Sequence, residues 1–525
     1  MDTLLHHLLM ESARRFPGKE ALVHNRERLT YAQALQRVTG LALSLRRAGV
    51  ERGNRVGIYL DPGIPQVISI FAATMAGGVV VPINTQLVAN QVHHIGSDCR
   101  ISVFITSENK LSSLRAHLEA ISSLRFVIVV GDPQAAGGFP AYDFDTLCEC
   151  DGTSSCADIA ISKDLAAILY TSGSTGKPKG VMLSHANLLA GARIVSAYLD
   201  ITESDRLLGV LPLTFDAGLN QLTTAFQQGA TLVLINFLFA RQIVEMLAAE
   251  RITGLAGVPT VWTMLTQPTS TLHKAALPDL RYITNTGGAM PQSALRTLRS
   301  VLPTTRIFLM YGLTEAFRST YLPPDELDRR PTSMGKAIPD TEILVLNEHG
   351  ERCTPGEIGE LVHRGPTVSM GYWGNPEATA RVLRPNPLAP PEVGDVERVC
   401  YSGDLVKTDE DGFLYYVGRR DTMIKSSGFR ISPTEVEEVA FRSGKIRHAA
   451  AIGVPDDLLG QAVKLFIVPR DDKSSEIDKL ALLDFCGEHL PRYMVPKFVE
   501  VLNELPVTSS GKVDYPTLKR REGVA

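Results

Sequence analysis

The stretch Ala166-Ala167-Ile168-Leu169-Tyr170 runs without a break into Thr171-Ser172-Gly173-Ser174-Thr175-Gly176-Lys177-Pro178-Lys179-Gly180. The first five residues are almost wholly apolar and read as a buried strand. The following loop combines glycines, through which backbone N–H groups approach a ligand closely, with the hydroxyls of Thr171, Ser172, Ser174 and Thr175. Lys177 and Lys179 add positive charge, so the segment is a cradle for phosphate. It is not a Walker A loop, because Pro178 stands where that loop needs Ser or Thr entering a helix.

Outward from this loop, strands and helices alternate. Thr30 suits the N-cap of a helix carrying Tyr31, Leu35, Val38, Leu41 and Leu45 at helical spacing, and Gly49 closes it. Strands are expected at 55–60, 79–81, 101–106 and 126–130, with a small-residue helix at 64–76. Short apolar strands separated by helices predict parallel sheets covered on both faces. Residues 135–138 and 385–391 read as surface loops.

The pattern changes near Gly335. Strands at 343–346, 359–363, 399–401 and 413–417 are separated by turns such as Asn347-Glu348-His349-Gly350, which predicts antiparallel hairpins. From Gly418 onward, helices at 434–441 and 477–489 and strands at 448–453 and 463–468 suffice for a small domain. The expected architecture is therefore α/β: a large N-terminal domain, 1–417, of doubly wound α/β subdomains plus a β-rich subdomain, and a small mobile α+β domain, 418–525.

Composition narrows the partners. Of 525 residues, 44% are hydrophobic and 21% charged, which excludes a disordered chain. A net charge of −4 with no basic run argues against nucleic acid. The longest apolar stretch is broken by Thr74, Gly77 and Gly78 and stopped by Pro82, so no membrane span is expected. The N-terminus lacks a basic start followed by an apolar run, and the 7 cysteines form neither a disulfide framework nor a zinc pattern. A cytoplasmic protein is expected.

Further motifs carry a resemblance. Tyr170 to Gly180, then Tyr311-Gly312-Leu313-Thr314-Glu315, Tyr401-Ser402-Gly403-Asp404, Gly418-Arg419-Arg420-Asp421, Gly428-Phe429-Arg430-Ile431 and Pro506-Val507-Thr508-Ser509-Ser510-Gly511-Lys512 follow in order. This set resembles the AMP-forming adenylating superfamily of acyl-CoA synthetases, peptide-synthetase adenylation domains and beetle luciferases. The resemblance implies that a carboxylate attacks the α-phosphorus of ATP and that the acyl group then passes to a thiol. Because anion approaches anion, cations and fixed N–H groups must offset the repulsion.

By the same resemblance, Lys512 bridges the carboxylate and the α-phosphate. Glu315 binds Mg²⁺ and Thr314 donates to phosphate. Tyr311 faces the adenine, while Gly287, Gly288, Ala289 and Gly312 let backbone pass close to the nucleotide. Asp404 accepts from the ribose hydroxyls, and Arg419 holds ribose or phosphate. Residues Thr171, Ser172, Gly173, Ser174, Thr175, Gly176, Lys177 and Lys179 take the phosphates. Asp421 occupies the hinge position, about which the small domain rotates between the two half-reactions.

Phe215-Asp216 stands in a motif where many acyl-CoA synthetases carry histidine, and it resembles amino-acid-activating domains. There the aspartate holds the substrate ammonium, which needs a partner once buried. Asp216 also suits the N-cap of a helix beginning at Ala217, and the two roles are compatible. The pocket transferred by motif comprises Asp216, Ala217, Asn220, Thr284, Thr286, Met310, Arg318 and Ser319. Arg318 is unusual there: it pairs with Asp216 or Glu315, meets an acidic substrate, or points outward. The implied activity is loading a small amino acid such as proline onto a phosphopantetheinyl carrier protein supplied in trans. The alternative is an acyl-CoA synthetase using free coenzyme A and a non-amino acid. Intact Lys512, Glu315, Asp404 and phosphate loop argue against a binding-only protein.

Overall fold

A computed structural model describes the whole chain except residues 1–2, 152–153, 172–177, 393–396, 421, 427–428, 457–458, 471–477, 509–512 and 525. The chain divides into two compact units. The first contains Met1–Thr171, Pro178–Ile343 and His363–Cys400; the second contains Leu344–Val362 and Tyr401–Ala525.

The first unit is built on two largely parallel sheets. One has seven strands in the order 141–143, 126–130, 101–107, 55–59, 79–82, 165–171, 179–184, and only the last pairs antiparallel. The other has nine, running from Lys336–Ala337 through Ala316–Leu322, Arg306–Leu313, Tyr282–Asn285, Gly254–Gly257, Arg206–Gly209 and Thr231–Leu234 to the N-terminal hairpin at 20–30. Its central strands are parallel and its edges antiparallel. Helices Tyr31–Arg47, Ile64–Met75, His185–Tyr198 and Asp216–Gln228 bury their apolar sides in one continuous core. At its centre Phe71 stacks on Phe226 at 5.0 Å, and Tyr31 meets Phe226 edge-on at 5.3 Å.

The α/β reading holds, and local signals explain the elements. Thr30 and Gln33 form a capping box at the start of Tyr31–Arg47, and Gly49 follows its end at φ +82°. Ile64–Met75 is buried around nearly its whole circumference, as its small and apolar composition demands. Two local readings change. The 135–138 loop includes the end of a 3₁₀ turn, Pro133–Ala136, capped by Asp132 and burying Ala136. The helix after Phe215 begins at Asp216, so Phe215 and not Asp216 takes the N-cap position.

In the second unit, Arg398–Thr408 pairs antiparallel with Leu414–Arg419 over 404–408. A further sheet orders Phe429–Ile431, Ile424–Ser426, Gly460–Pro469 and Ile446–Asp456, with Phe498–Val501 added parallel to Gly460–Pro469. Helices Pro433–Arg442 and Lys479–His489 pack on it. Among the described residues, no helix is long and apolar enough to cross a membrane.

Candidate functional site

In the first unit the marked residues gather at the carboxyl ends of the nine-stranded sheet. Parallel α/β sheets bind ligands there, where chain reversals leave a crevice. Tyr282–Asn285 ends in Thr286, followed by Gly287 at φ +77°, Gly288 and Ala289, all three exposed. Asn285 Nδ2 donates to the Gly288 carbonyl at 2.8 Å and holds this loop.

Next to it, Arg306–Leu313 carries Tyr311 and Gly312 and turns into Ala316–Leu322 through Thr314 and Glu315 alone. The tight turn carries the hydroxyl and the carboxylate on adjacent residues, both half-buried. Glu315 accepts a hydrogen bond from the Tyr372 hydroxyl, and its carbonyl accepts from Ser369 N at 2.8 Å. The Tyr372 ring lies 5.8 Å from Lys179 Nζ. Tyr372 therefore ties the acidic turn to the lysine at the end of the phosphate-loop hairpin, in which Thr171 pairs with Lys179. Behind Tyr311, the His363 ring stacks at 6.1 Å and 13°. Burial pushes His363 down to about 3, so its imidazole is neutral, and neither ring nitrogen has a hydrogen-bond partner among the described residues. Neither Tyr372 nor His363 was visible to sequence reasoning: a lone Gly-Tyr-Trp and a lone strand histidine have no diagnostic spacing.

The hairpin is irregular where it matters. Tyr311 pairs with Thr320 and Leu313 with Ala316, so Gly312 alone faces Phe317, Arg318 and Ser319. Such bulges bend a strand and re-aim side chains. A Cβ on Gly312 would lie 2.8 Å from Arg318 N, which explains the glycine. Arg318 takes φ +61°, a conformation rare outside glycine, and its side chain is buried.

Arg318 Nε donates to Asn220 Oδ1 at 3.2 Å, Nη1 to Thr286 Oγ1 at 3.2 Å and Nη2 to the Ala217 carbonyl at 3.4 Å. The outward orientation and the pairings with Asp216 or Glu315 are thus corrected, since no carboxylate reaches this guanidinium among the described residues. Arg318, Asn220, Gln221, Thr284 and Met310 line a cavity of about 20 Å³ closed by aliphatic side chains including Leu207. That volume suits about one water-sized group. Gln221 Oε1 is buried there without a donor among the described residues. Asp216 is half-buried in the first turn of its helix and is not in the cavity wall, and Ser319 is turned away, bonded to the Ala316 carbonyl at 2.9 Å.

In the second unit Asp404 is buried, pairs across the strands with Arg419, and meets its guanidinium at 3.3 Å. The expected phosphate-loop residues Ser172, Gly173, Ser174, Thr175, Gly176 and Lys177, hinge residue Asp421 and Lys512 lie outside the described residues.

The model of the AMP-binding enzyme family matches residues 9–373, and that of the AMP-binding enzyme C-terminal domain matches 435–512. The chain belongs to this family. It is an AMP-forming ligase that joins an acid to a thiol. It is 34% identical to feruloyl-CoA synthase of Amycolatopsis sp, over 97% of each chain. It is 30% identical to L-proline–[L-prolyl-carrier protein] ligase of Pseudomonas fluorescens, over 99% of each. It also resembles the structure of o-succinylbenzoate coenzyme A synthetase from Bacillus subtilis in complex with ATP and magnesium ion. That match has a TM-score of 0.80, 26% identity, and covers 96% of this chain and 98% of the other.

Proposed function

We propose that the protein is an acyl-CoA synthetase: a carboxylate oxygen attacks the α-phosphorus of ATP, pyrophosphate leaves, and the thiol of coenzyme A displaces AMP from the acyl-adenylate. The observation that carries the reading is the 34% identity to a feruloyl-CoA synthase over 97% of each chain; half-buried Asp216 is not among the residues lining the water-sized cavity beside Arg318. An amino-acid pocket would place the half-buried carboxylate against the substrate ammonium.

Each remaining assignment follows the motif. Tyr311, backed by His363, offers a flat face for adenine, and Gly287 and Gly288 leave room at its edge. Asp404, steadied by Arg419, accepts from ribose hydroxyls. The motifs assign Thr314, Lys179, residues 172–177 and Lys512 to the phosphates. Half-buried Glu315 would ligate Mg²⁺, which neutralises phosphate charge when bound, and Tyr372 orients its carboxylate. Domains of 1–417 and 418–525, hinged at Asp421, would serve the two half-reactions. A cytoplasmic location is part of the same reading.

Transfer of an amino acid to a carrier protein is the second reading, favoured by Phe215-Asp216 and by the prolyl-carrier ligase relative. Incubating the protein with ATP, Mg²⁺ and aliphatic, aromatic or amino acids, with coenzyme A or carrier protein as acceptor, separates the two. The synthetase reading expects acyl-CoA from a non-amino acid; product only as an aminoacyl carrier would reverse it. Asp216→Asn sharpens the choice. On the first reading kcat/KM changes by less than about twofold, whereas loss of a buried ammonium partner costs about 2–5 kcal/mol.

A further inference from the structure

Resting on the ligase reading, we propose that Arg318 selects the substrate by its far end, and that the acid activated is a short dicarboxylic acid whose second carboxylate pairs with this guanidinium. The argument begins with charge. Arginine stays ionised in proteins and carries five N–H donors in a rigid fork. Arg318 is buried, at 4% exposure, and among the described residues it meets only neutral acceptors: the Asn220 amide oxygen, the Thr286 hydroxyl and the Ala217 carbonyl. A buried guanidinium without an anion is unfavourable, because dipoles replace only part of the lost hydration. For stability alone, a neutral side chain of that size would serve better.

The backbone adds a second, independent observation. The bulge opposite Gly312 and the φ of +61° at Arg318 both work against a regular hairpin. Strained positions of this kind persist where the surroundings hold a side chain for use. Here they aim the fork at the cavity. Asn220 and Thr284 line the same cavity, together with aliphatic residues including Leu199 and Leu207. Polar groups beside a cation that meets no carboxylate among the described residues fit a short chain with an anionic end. A bidentate carboxylate is the group whose geometry best matches the fork.

The test is pyrophosphate exchange by the full-length protein with succinate, glutarate and adipate against butyrate, pentanoate, hexanoate and benzoate. At least one dicarboxylate should exceed its monocarboxylate of equal length by tenfold or more in kcat/KM. Arg318→Gln should reverse that order, and Arg318→Lys, which keeps the charge but loses the fork, should retain part of it. Equal or better use of monocarboxylates by the wild-type protein would overturn the proposal, and that comparison stands even if Arg318→Gln fails to fold. A folded Arg318→Gln that loses all acids in parallel would also overturn it. Failure of every acid to support exchange would instead remove the ligase reading, and this inference with it.

Discussion

Tyr311 to Glu315 and Arg318 occupy one hairpin, yet they are built by different means. The first group is made by local geometry: a strand end, a glycine and a two-residue turn present a ring, a hydroxyl and a carboxylate, each half-buried. Arg318 depends on residues remote in sequence, reaching Asn220 and Ala217 on one helix and Thr286 after another strand. A nucleotide is the same for every relative and is met by a recurring backbone form. The acid differs, and its end of the hairpin is decided by side-chain packing. Arg318→Gln, argued above, probes the variable end; the following experiments probe whether the two ends separate.

The largest effect is expected at Lys512. Lys512→Ala should slow pyrophosphate exchange by about 10²–10³-fold or more, the scale of losing a major electrostatic stabiliser. Thioester formation from supplied acyl-adenylate should survive. Equal loss of both steps would erase the assignment of Lys512 to adenylation alone.

The second unit supplies a stability measurement independent of the hairpin. Burial raises the Glu437 carboxyl from 4.5 to about 7, while Ala451 N and the Tyr515 hydroxyl both donate to its Oε1 at 2.7 and 2.8 Å. Below pH 4.5 both folded and unfolded forms hold the proton. Between 4.5 and about 7 the unfolded chain releases it first, so stability falls as pH rises, and above that range the loss is complete. A shift of this size corresponds to about 3 kcal/mol. Chemical denaturation from pH 4.5 to 8 should show the decline, and Glu437→Gln should flatten it. An unchanged slope in the variant would assign it to other groups.

Gly312→Ala tests the join between the ends. The added methyl would press on Arg318 backbone, and overpacking of this kind costs about 1–3 kcal/mol. KM for the acid should rise more than KM for ATP. A larger rise for ATP would show that the bulge serves the nucleotide and not the acid.

The smallest effect is expected behind Tyr311. His363→Phe keeps a ring for stacking and removes two buried nitrogens that lack partners, so Tm should rise while KM for ATP stays within about twofold. His363→Ala should lower Tm and weaken ATP binding through loss of an aromatic pair worth about 0.5–1.5 kcal/mol. Matching behaviour of the two variants would mean that the stack has no role.

Much of the first unit was legible because its signals are local. A capped amphipathic helix at Tyr31–Arg47, an apolar helix at Ile64–Met75 and buried strands before Gly-rich loops follow from side-chain spacing and turn chemistry. The Tyr-Gly-x-Thr-Glu motif likewise specifies its own turn. Asp216 shows the limit: spacing left it as either a helix cap or a substrate contact, and the helix register made Phe215 the cap position and left Asp216 out of the cavity wall.

By itself the sequence determined the α/β architecture, the order of the nucleotide motifs and the kind of bond the protein makes, since each rests on residues close together in the chain. Only the tertiary structure decided that Arg318 turns inward, that Tyr372 links Glu315 with Lys179, and that His363 backs Tyr311. These contacts join segments 32 to 193 positions apart, as between Arg318 and Thr286 and between Tyr372 and Lys179. Burial and charge pairing at that range depend on which strands and helices become neighbours, and no local pattern records it.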